Sequence, residues 1–164
     1  MVEIPEARPN STSIPRETDV QLTDIKIRLF SKPWLEEADA EGGFPTNGDR
    51  FAAQELNKRQ DTEGFTRKGF LCQALAAGWH HKSPEQLKAL GDVVGRERIQ
   101  VMHGTVDQML TVPHAEVLAK ELGEESGVTK RIFQGRGHVL MWEEREEFRR
   151  LIGALIDKAE NMQE

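Results

Sequence analysis

The sequence is poor in cysteine and has no long apolar run. Its 164 residues include one cysteine, Cys72, so no disulfide can form within one chain. No apolar stretch approaches the roughly 20 residues that a membrane-spanning helix needs. The N-terminus also lacks the basic start and apolar run of a signal peptide. These absences favour a cytoplasmic protein that does not bind membranes.

The charge of the chain excludes a further class of partner. Acidic residues outnumber basic residues by 28 to 22, which gives a formal net charge of -6 at pH 7. Phosphate binding needs a clustered cationic face, and no basic run in this sequence is free of neighbouring acids. We therefore expect no nucleic-acid partner. The 37% hydrophobic content is sufficient for one folded domain with a core.

The beginning of the chain has the composition of an irregular arm. Residues 1–23 contain Pro5, Pro9 and Pro15 among many Ser, Thr and Glu side chains, with few large apolar residues. This composition predicts a flexible N-terminal arm over 1–23. A helical, cap-like region is predicted over 24–97, and a βαβα unit is predicted over 98–160.

Three helices are predicted in the second part of the cap-like region. The first runs from Asp49 to Gln60. The second runs from Arg67 to Trp79 and has apolar residues on nearly every side, which predicts burial. If it is buried, Cys72 is a core thiol. The third helix begins where Ser83 and Gln86 form an S-x-x-Q capping box.

The second half of the chain alternates strands and helices. Strands are predicted over Ile99 to His103 and Val128 to Phe133, with a helix from Pro113 to about Leu122 between them. In a last helix, from about Trp142 to Ala159, the run Glu143 to Glu147 is interpreted as a solvated face. The alternation predicts parallel strands joined by a right-handed crossover.

An acid and a histidine follow the two predicted strands. Asp107 ends the run HGTVD after the first strand, and His138 ends the run QGRGH after the second. Because neighbouring parallel strands end at the same edge of a sheet, we expect these side chains to pair. A carboxylate holds imidazole in one tautomer and stabilises its protonated form, as a general base requires. Taken separately, Asp107 also fits an ordinary turn, and His138 fits a helix cap.

This pattern resembles the C-terminal part of the α/β-hydrolase family. In that family an HGTxD turn carries the acid of the catalytic triad, and a GxGH turn carries its histidine. The tracts GFPTNGDRF from Gly43, GFTRKGF from Gly64 and AGWHHKSP from Ala77 also resemble the cap region of fungal members. The resemblance covers about Asp24 to Lys158. It implies an α/β class, namely a partial α/β-hydrolase fold with a helical cap segment followed by the βαβα unit.

The resemblance also implies an activity and a set of site residues. The substrate would be a small ester, amide or related molecule, with His138 as the general base and Asp107 as the residue that orients it. Trp79 and His80 would shape a substrate pocket under the cap, although a polar helix end is the alternative interpretation of His80. Neither a cofactor nor a metal is expected, because the sequence lacks the paired spacing of metal ligands.

The nucleophile of the triad has no serine candidate in this sequence. The family carries it on a G-x-S-x-G turn, and none of the five serines lies in such a turn. We therefore expect the chain alone not to hydrolyse esters. Two strands alone also leave an open sheet edge, through which another polypeptide can associate. A truncated gene product, a chain completed by such a partner and a non-catalytic binding protein are the three alternatives.

Overall fold

The fold combines many helices with a small parallel sheet, as seen in a computed structural model that describes residues 16–61, 63–64 and 66–162. This confirms the mixed α/β class. Among the described residues, no helix is both long and apolar enough to cross a membrane. The helices are α1 Arg16–Leu29, α2 Lys32–Glu36, α3 Asn47–Gln60, α4 Arg67–Trp79, α5 Pro84–Val94, α6 Val112–Leu122, α7 Leu140–Glu143 and α8 Arg145–Asn161, and the strands are β1 Gln100–Gly104 and β2 Thr129–Phe133.

Helix α1 occupies part of the region for which an arm is predicted. Residues 16–23 are helical, so the arm prediction is wrong there, and residues 1–15 lie outside the described part of the chain. The three prolines all precede Arg16 in the sequence, so none of them interrupts the helix. Leu22 is buried at 7% exposure, which gives the helix an apolar contact with the rest of the protein.

The sheet consists of β1 and β2 paired side by side. The two strands are parallel and in register from Gln100 opposite Thr129 to Gly104 opposite Phe133. Helix α6 connects them and covers one face, as parallel strands require. Because the strands run in the same direction, the turns that follow Gly104 and Phe133 emerge at the same edge. The core on the covered face contains Val101, Ala115, Ala119, Leu122 and Val128.

A second apolar cluster joins the N-terminal helices to the C-terminal ones. Phe30, Trp34 and Phe51 are buried, and Trp142 of α7 packs against them. The ring centroids of Phe30 and Trp34 lie 4.6 Å apart in a stacked pair, and the centroid of Trp142 lies 5.6 Å from that of Phe30. Aromatic pairs of this kind add about 0.5–1.5 kcal/mol beyond the area they bury. The cluster therefore ties α1–α3 to the segment that follows β2.

Asp39 organises the acidic turn between α2 and α3. Its carboxylate accepts three backbone N–H groups from the turn and is also bound by the guanidinium of Arg50. The hydrogen bond from Arg50 is the main reason why the pKa of Asp39 lies well below its usual range. Glu41 in the same turn accepts a 2.7 Å hydrogen bond from Arg145 of α8. The turn is thus anchored to both α3 and α8.

The predicted helix starts are close to those observed. Ser83 accepts the N–H of Gln86 while the Gln86 side chain accepts the N–H of Ser83, which confirms the capping box. Helix α3 begins two residues earlier than expected, at Asn47 rather than Asp49. The reason is that Thr46 caps this helix by accepting the N–H of Asp49 at 3.1 Å.

Helix α4 has the predicted bounds but not the predicted burial. It runs over Arg67–Trp79, yet none of its residues is buried. Phe70 and Trp79 are 72% and 80% exposed, and Cys72 is also exposed. The predictions of a core helix and a core thiol are therefore wrong. An all-round apolar pattern shows that a helix favours burial, but burial requires a covering surface, and the described residues do not supply one.

Gly104 lies where the backbone before His138 crosses the end of β1. A Cβ atom at position 104 would lie 2.1 Å from the carbonyl oxygen of Arg136 and 2.3 Å from that of Gly137. A side-chain rotation cannot relieve a clash with backbone atoms, so one of the two turns would have to move. Glycine is therefore needed at position 104 so that the two turns can touch.

We expect Gly104→Ala to lower the free energy of unfolding by about 1–3 kcal/mol, because the added methyl group overpacks this contact. Gly153→Ala in α8 is the matched control, since a Cβ atom there would meet nothing within 4 Å. This control should be neutral or stabilising by up to about 1 kcal/mol, because alanine favours a helix. Urea unfolding followed by circular dichroism measures both. Equal stability of Gly104→Ala and the wild type would contradict the close approach.

Candidate active site

Asp107 and His138 meet beyond the C-terminal ends of β1 and β2. Nδ1 of His138 lies 2.9 Å from Oδ2 of Asp107, although 31 positions separate the residues in the chain. The side chain of Asp107 is 3% exposed, whereas that of His138 is 37% exposed. The acid is therefore buried behind an imidazole that reaches solvent. The pairing of the two side chains is the contact that the two sequence motifs predict.

The turn after β1 holds the other oxygen of Asp107. Oδ1 accepts the backbone N–H groups of Met109 at 2.7 Å and Leu110 at 3.0 Å. Burial disfavours the charged carboxylate, but hydrogen bonds from Leu110, His138 and Met109 outweigh burial, so the pKa of Asp107 is lowered. Asp107 is consequently ionised at neutral pH, and its free oxygen accepts from the Nδ1–H of His138.

The turn that carries His138 is held by the C-terminal end of α1. The N–H groups of His138 and Val139 both donate to the carbonyl oxygen of Leu29, at 2.8 and 3.2 Å. Gly135 adopts a φ of 70°, in the left-handed region that favours glycine. Its N–H donates to Oγ1 of Thr105 at 2.8 Å, which binds this turn to the turn after β1. The turn of the histidine is therefore held by its own N–H groups, which donate to the Leu29 carbonyl on one side and to the Thr105 hydroxyl on the other.

Glu143 is a buried carboxylate that supports the same turn. It is 7% exposed and accepts both the N–H of Ser31 at 2.7 Å and the hydroxyl of Ser31 at 2.8 Å. It also accepts the N–H of Gly137 at 3.2 Å. The predicted solvated face is wrong for Glu143, because α7 ends at this residue and α8 begins at Arg145. The acidic run gives no sign of this helix break, so the sequence does not reveal Glu143.

His103 places a second imidazole beside Asp107. Its Nε2 lies 3.4 Å from Oδ2 of Asp107, and its side chain is 9% exposed. Its Nδ1 lies 2.8 Å from the carbonyl oxygen of Gly104, so Nδ1 is the donor in this geometry. Nε2 is buried and has no hydrogen-bond partner among the described residues. Because His103 directly precedes the turn glycine, the sequence predicts that it makes a structural hydrogen bond beneath the acid, and the contact of Nδ1 with the Gly104 carbonyl agrees with this prediction.

A cavity of about 210 Å³ adjoins the pair. Its walls come mainly from β1, α6 and the turn between them, and they are predominantly apolar. Trp79 and His80 do not line it, and both are exposed at the C-terminal end of α4. The structure thus brings Asp107 and His138 together and does not place the other two predicted residues with them. The lining residues are Val101, Met102, His103, Asp107, Leu110, His114, Ala115, Leu118 and His138.

No hydroxyl or thiol group within the described ranges bonds to the imidazole of His138. Ser31 donates to Glu143, Ser83 caps α5, and Ser126 lies in a short 3-10 helix after α6. Cys72 is exposed on α4 and does not line the cavity. In the same ranges, no group of three or more His, Cys, Asp or Glu side chains is arranged to hold a metal ion.

Comparisons with family models, with curated proteins and with solved structures found no match for this chain. The resemblance to α/β-hydrolases therefore remains a prediction from the sequence motifs. The geometry of Asp107 and His138 stands independently of that resemblance, because it follows from the contacts described above.

Replacing Glu143 should weaken the support of the His138 turn. We expect Glu143→Gln to lower the free energy of unfolding by about 1–3 kcal/mol, because an amide nitrogen would replace an oxygen that accepts buried donors. Glu146→Gln is the matched control, since Glu146 is exposed. Urea unfolding compares the two variants. If Glu143→Gln matched the control, the buried hydrogen bonds of Glu143 would not contribute to stability.

Asp107 should make the stability of the protein depend on pH in the acid range. Its pKa is lower in the folded chain than its usual value, so it stabilises the fold above the unfolded pKa of about 3.9. That contribution disappears as the pH falls through the folded pKa. We therefore expect the wild type to lose more unfolding free energy than Asp107→Asn between neutral and acid pH. Asp157→Asn is the control, because Asp157 is exposed, and this variant should keep the pH dependence of the wild type. If Asp107→Asn also lost as much unfolding free energy as the wild type at acid pH, the assignment of this dependence to Asp107 would be contradicted.

Proposed function

We propose that this chain supplies the acid and histidine of a serine-type hydrolase that acts on a small ester, amide or related substrate. The observation that carries the proposal is the 2.9 Å hydrogen bond between Nδ1 of His138 and Oδ2 of Asp107. The burial of the acid and the exposure of the imidazole support the same interpretation. A histidine oriented in this way is the general base of nucleophilic acyl transfer.

The role of each atom follows from the hydrogen bonds that are already made. Since Nδ1 of His138 donates to Asp107, Nε2 carries the lone pair that takes a proton from an attacking hydroxyl group. Asp107 keeps the ring in that tautomer and stabilises the imidazolium ion after the proton has moved. His138 then returns the proton to the leaving group, and the base is regenerated.

Turnover needs a nucleophile that the described residues do not place beside His138. We therefore expect the purified chain alone to be inactive toward esters. Activity should require a polypeptide segment that brings a serine hydroxyl to Nε2 of His138. The motifs HGTVD and QGRGH resemble those of the α/β-hydrolase family, in which the nucleophile is a serine on a G-x-S-x-G turn. This resemblance supports a serine on such a turn as the nucleophile.

The cavity supports a second candidate function, in which the chain binds a small molecule without turnover. Its apolar walls and the imidazole of His103 suit a ligand with an aliphatic body and a polar group. In this case ligand binding survives Asp107→Ala and His138→Ala, and no hydrolysis appears in any form of the protein.

The deciding experiment maps the 5′ end of the native transcript and expresses the longest chain that is in frame with this sequence. If that chain carries a nucleophile, we expect it to hydrolyse p-nitrophenyl acetate. His138→Ala and Asp107→Asn should lower kcat on the order of 10³- to 10⁴-fold, because the base or its correct tautomer is lost. Glu146→Gln should keep the wild-type rate, since the exposed Glu146 does not line the cavity.

One result would contradict the proposed hydrolase function, and a second would contradict only the expectation that the chain alone is inactive. If a nucleophile-bearing form hydrolysed the ester equally well after His138→Ala, His138 would not be the general base. Hydrolysis by the chain with the present sequence, lost in His138→Ala, would show that the nucleophile lies within it. If the transcript instead begins at Met1 and the chain is inactive, the binding function becomes the better candidate.

A further inference from the structure

The ring of His103 is a buried group of this site whose hydrogen bonding is incomplete. Its Nδ1 lies 2.8 Å from the carbonyl oxygen of Gly104, and its Nε2 lies 3.4 Å from Oδ2 of Asp107 without a hydrogen bond. A neutral ring carries one N–H, so each neutral tautomer leaves a bare nitrogen beside one of these two oxygens. A second ring proton would give each oxygen a donor.

Oδ2 of Asp107 lies between two imidazole rings. Nδ1 of His138 is 2.9 Å from this oxygen, on the side opposite to the contact with His103 in the chain order. The other oxygen, Oδ1, is already occupied by the N–H groups of Met109 and Leu110. One negative charge can stabilise either imidazolium ion, but two imidazolium ions beside one carboxylate repel each other.

Strand β2 brings no charge directly opposite His103. The register pairs His103 with Ile132. Lys130 lies on the same face two residues earlier, but its Nζ is bonded to Glu124 at 3.0 Å. Arg131 lies on the opposite face, because successive side chains of a strand alternate.

The two helices that pack against β1 add no second counter-ion. Helix α6 brings His114 to the cavity, where its Nδ1 lies 3.1 Å from the hydroxyl of Thr111. Helix α7 carries Glu143, which accepts the donors of Ser31 and the Gly137 turn described above. Within the described part of the chain, Asp107 is therefore the carboxylate that lines the cavity and serves both rings.

We propose that His103 is a second proton site at Asp107, which competes with His138 for the charge of that carboxylate. A proton on either ring makes a proton on the other less favourable, so the two rings titrate as a coupled pair. The competition follows from the shared oxygen and needs no hydrolase activity. His103 would act on catalysis through Asp107, so we assign it as a positioning residue.

The consequence for catalysis rests on the proposed function. Asp107 stabilises the imidazolium form of His138 fully only while His103 is neutral. When His103 binds a proton, it neutralises part of the charge of Asp107, and His138 becomes a weaker base. Acidification should therefore reduce activity through protonation of both rings.

The first test follows the ring nitrogens of the chain by long-range ¹H–¹⁵N NMR, over the pH range in which it stays folded. In the wild type, each ring should respond to two titration steps. In His103→Gln or His138→Gln, the remaining ring should titrate in one step. The ring that is protonated second in the wild type should titrate at least about one pH unit higher when the other is replaced. His81→Gln, at an exposed position outside the cavity, is the control and should leave both steps unchanged.

The same spectra can overturn the proposal. If each ring titrated identically in the wild type and in the variant that lacks the other ring, the two sites would be independent. The wild type alone decides the matter if a variant does not fold. A His103 ring that keeps one protonation state throughout the folded range, or that shows a single step while His138 titrates separately, would overturn the proposal.

The second test measures how kcat/KM of the nucleophile-bearing form depends on pH. The decline toward acid pH should require two protonations in the wild type and one in His103→Gln. An identical decline in both forms would overturn the role of His103 in catalysis. If no form hydrolyses the ester, the proposed function fails, and the NMR result still decides whether the two rings share Asp107.

Discussion

The contact between the two turns that follow β1 and β2 is the constraint on which the candidate site depends. Gly104 lies against the carbonyl groups of Arg136 and Gly137, and this approach leaves no space for a side chain. The N–H of Val106 also donates to the carbonyl of Arg136 at 3.0 Å, so the turns are hydrogen-bonded as well as packed. With the backbones fixed in this way, the short side chain of Asp107 reaches the imidazole of His138 directly.

The N-terminal helices are part of the same support. The carbonyl oxygen of Leu29 accepts two N–H groups from the His138 turn, and Glu143 joins the Ser31 backbone and side chain to the N–H of Gly137. A Cβ atom at position 137 would lie 2.7 Å from the Leu29 oxygen, so glycine is needed there for close approach as well. Any change that displaces the end of α1 or the linker between α1 and α2 therefore also displaces the imidazole of His138.

The sequence predicts the second half of the fold well because its signals are local. The apolar periodicity of α6, the capping box at Ser83 and the two glycine-rich turns each depend on a few neighbouring residues, and the observed elements agree with them within about three residues. The pairing of Asp107 with His138 is also foreseeable, because parallel strands end at one edge. Asp107 and His138 are thus found from motifs alone.

The failures share a different cause, which is that burial depends on distant partners. Helix α4 has the composition of a core helix and is fully exposed, whereas Glu143 lies in an acidic run and is buried under Ser31, 112 positions away. The pocket role expected for Trp79 and His80 likewise depended on where α4 would pack. No short-range pattern contains that information, because it is determined by which surfaces the rest of the structure makes available.

The candidate base is organised before any nucleophile is present. The acid has both oxygens engaged, by Met109, Leu110 and His138, and the turn of the histidine is held through backbone groups. Such preorganisation lowers the reorganisation that a reaction would require, which is why enzymes fix catalytic groups in this manner. A protein that only bound a ligand in the apolar cavity would gain little from a buried, fully hydrogen-bonded carboxylate behind a solvent-facing imidazole. So many buried hydrogen bonds that hold a single imidazole in place support proton transfer, more than binding alone, as the role of the pair.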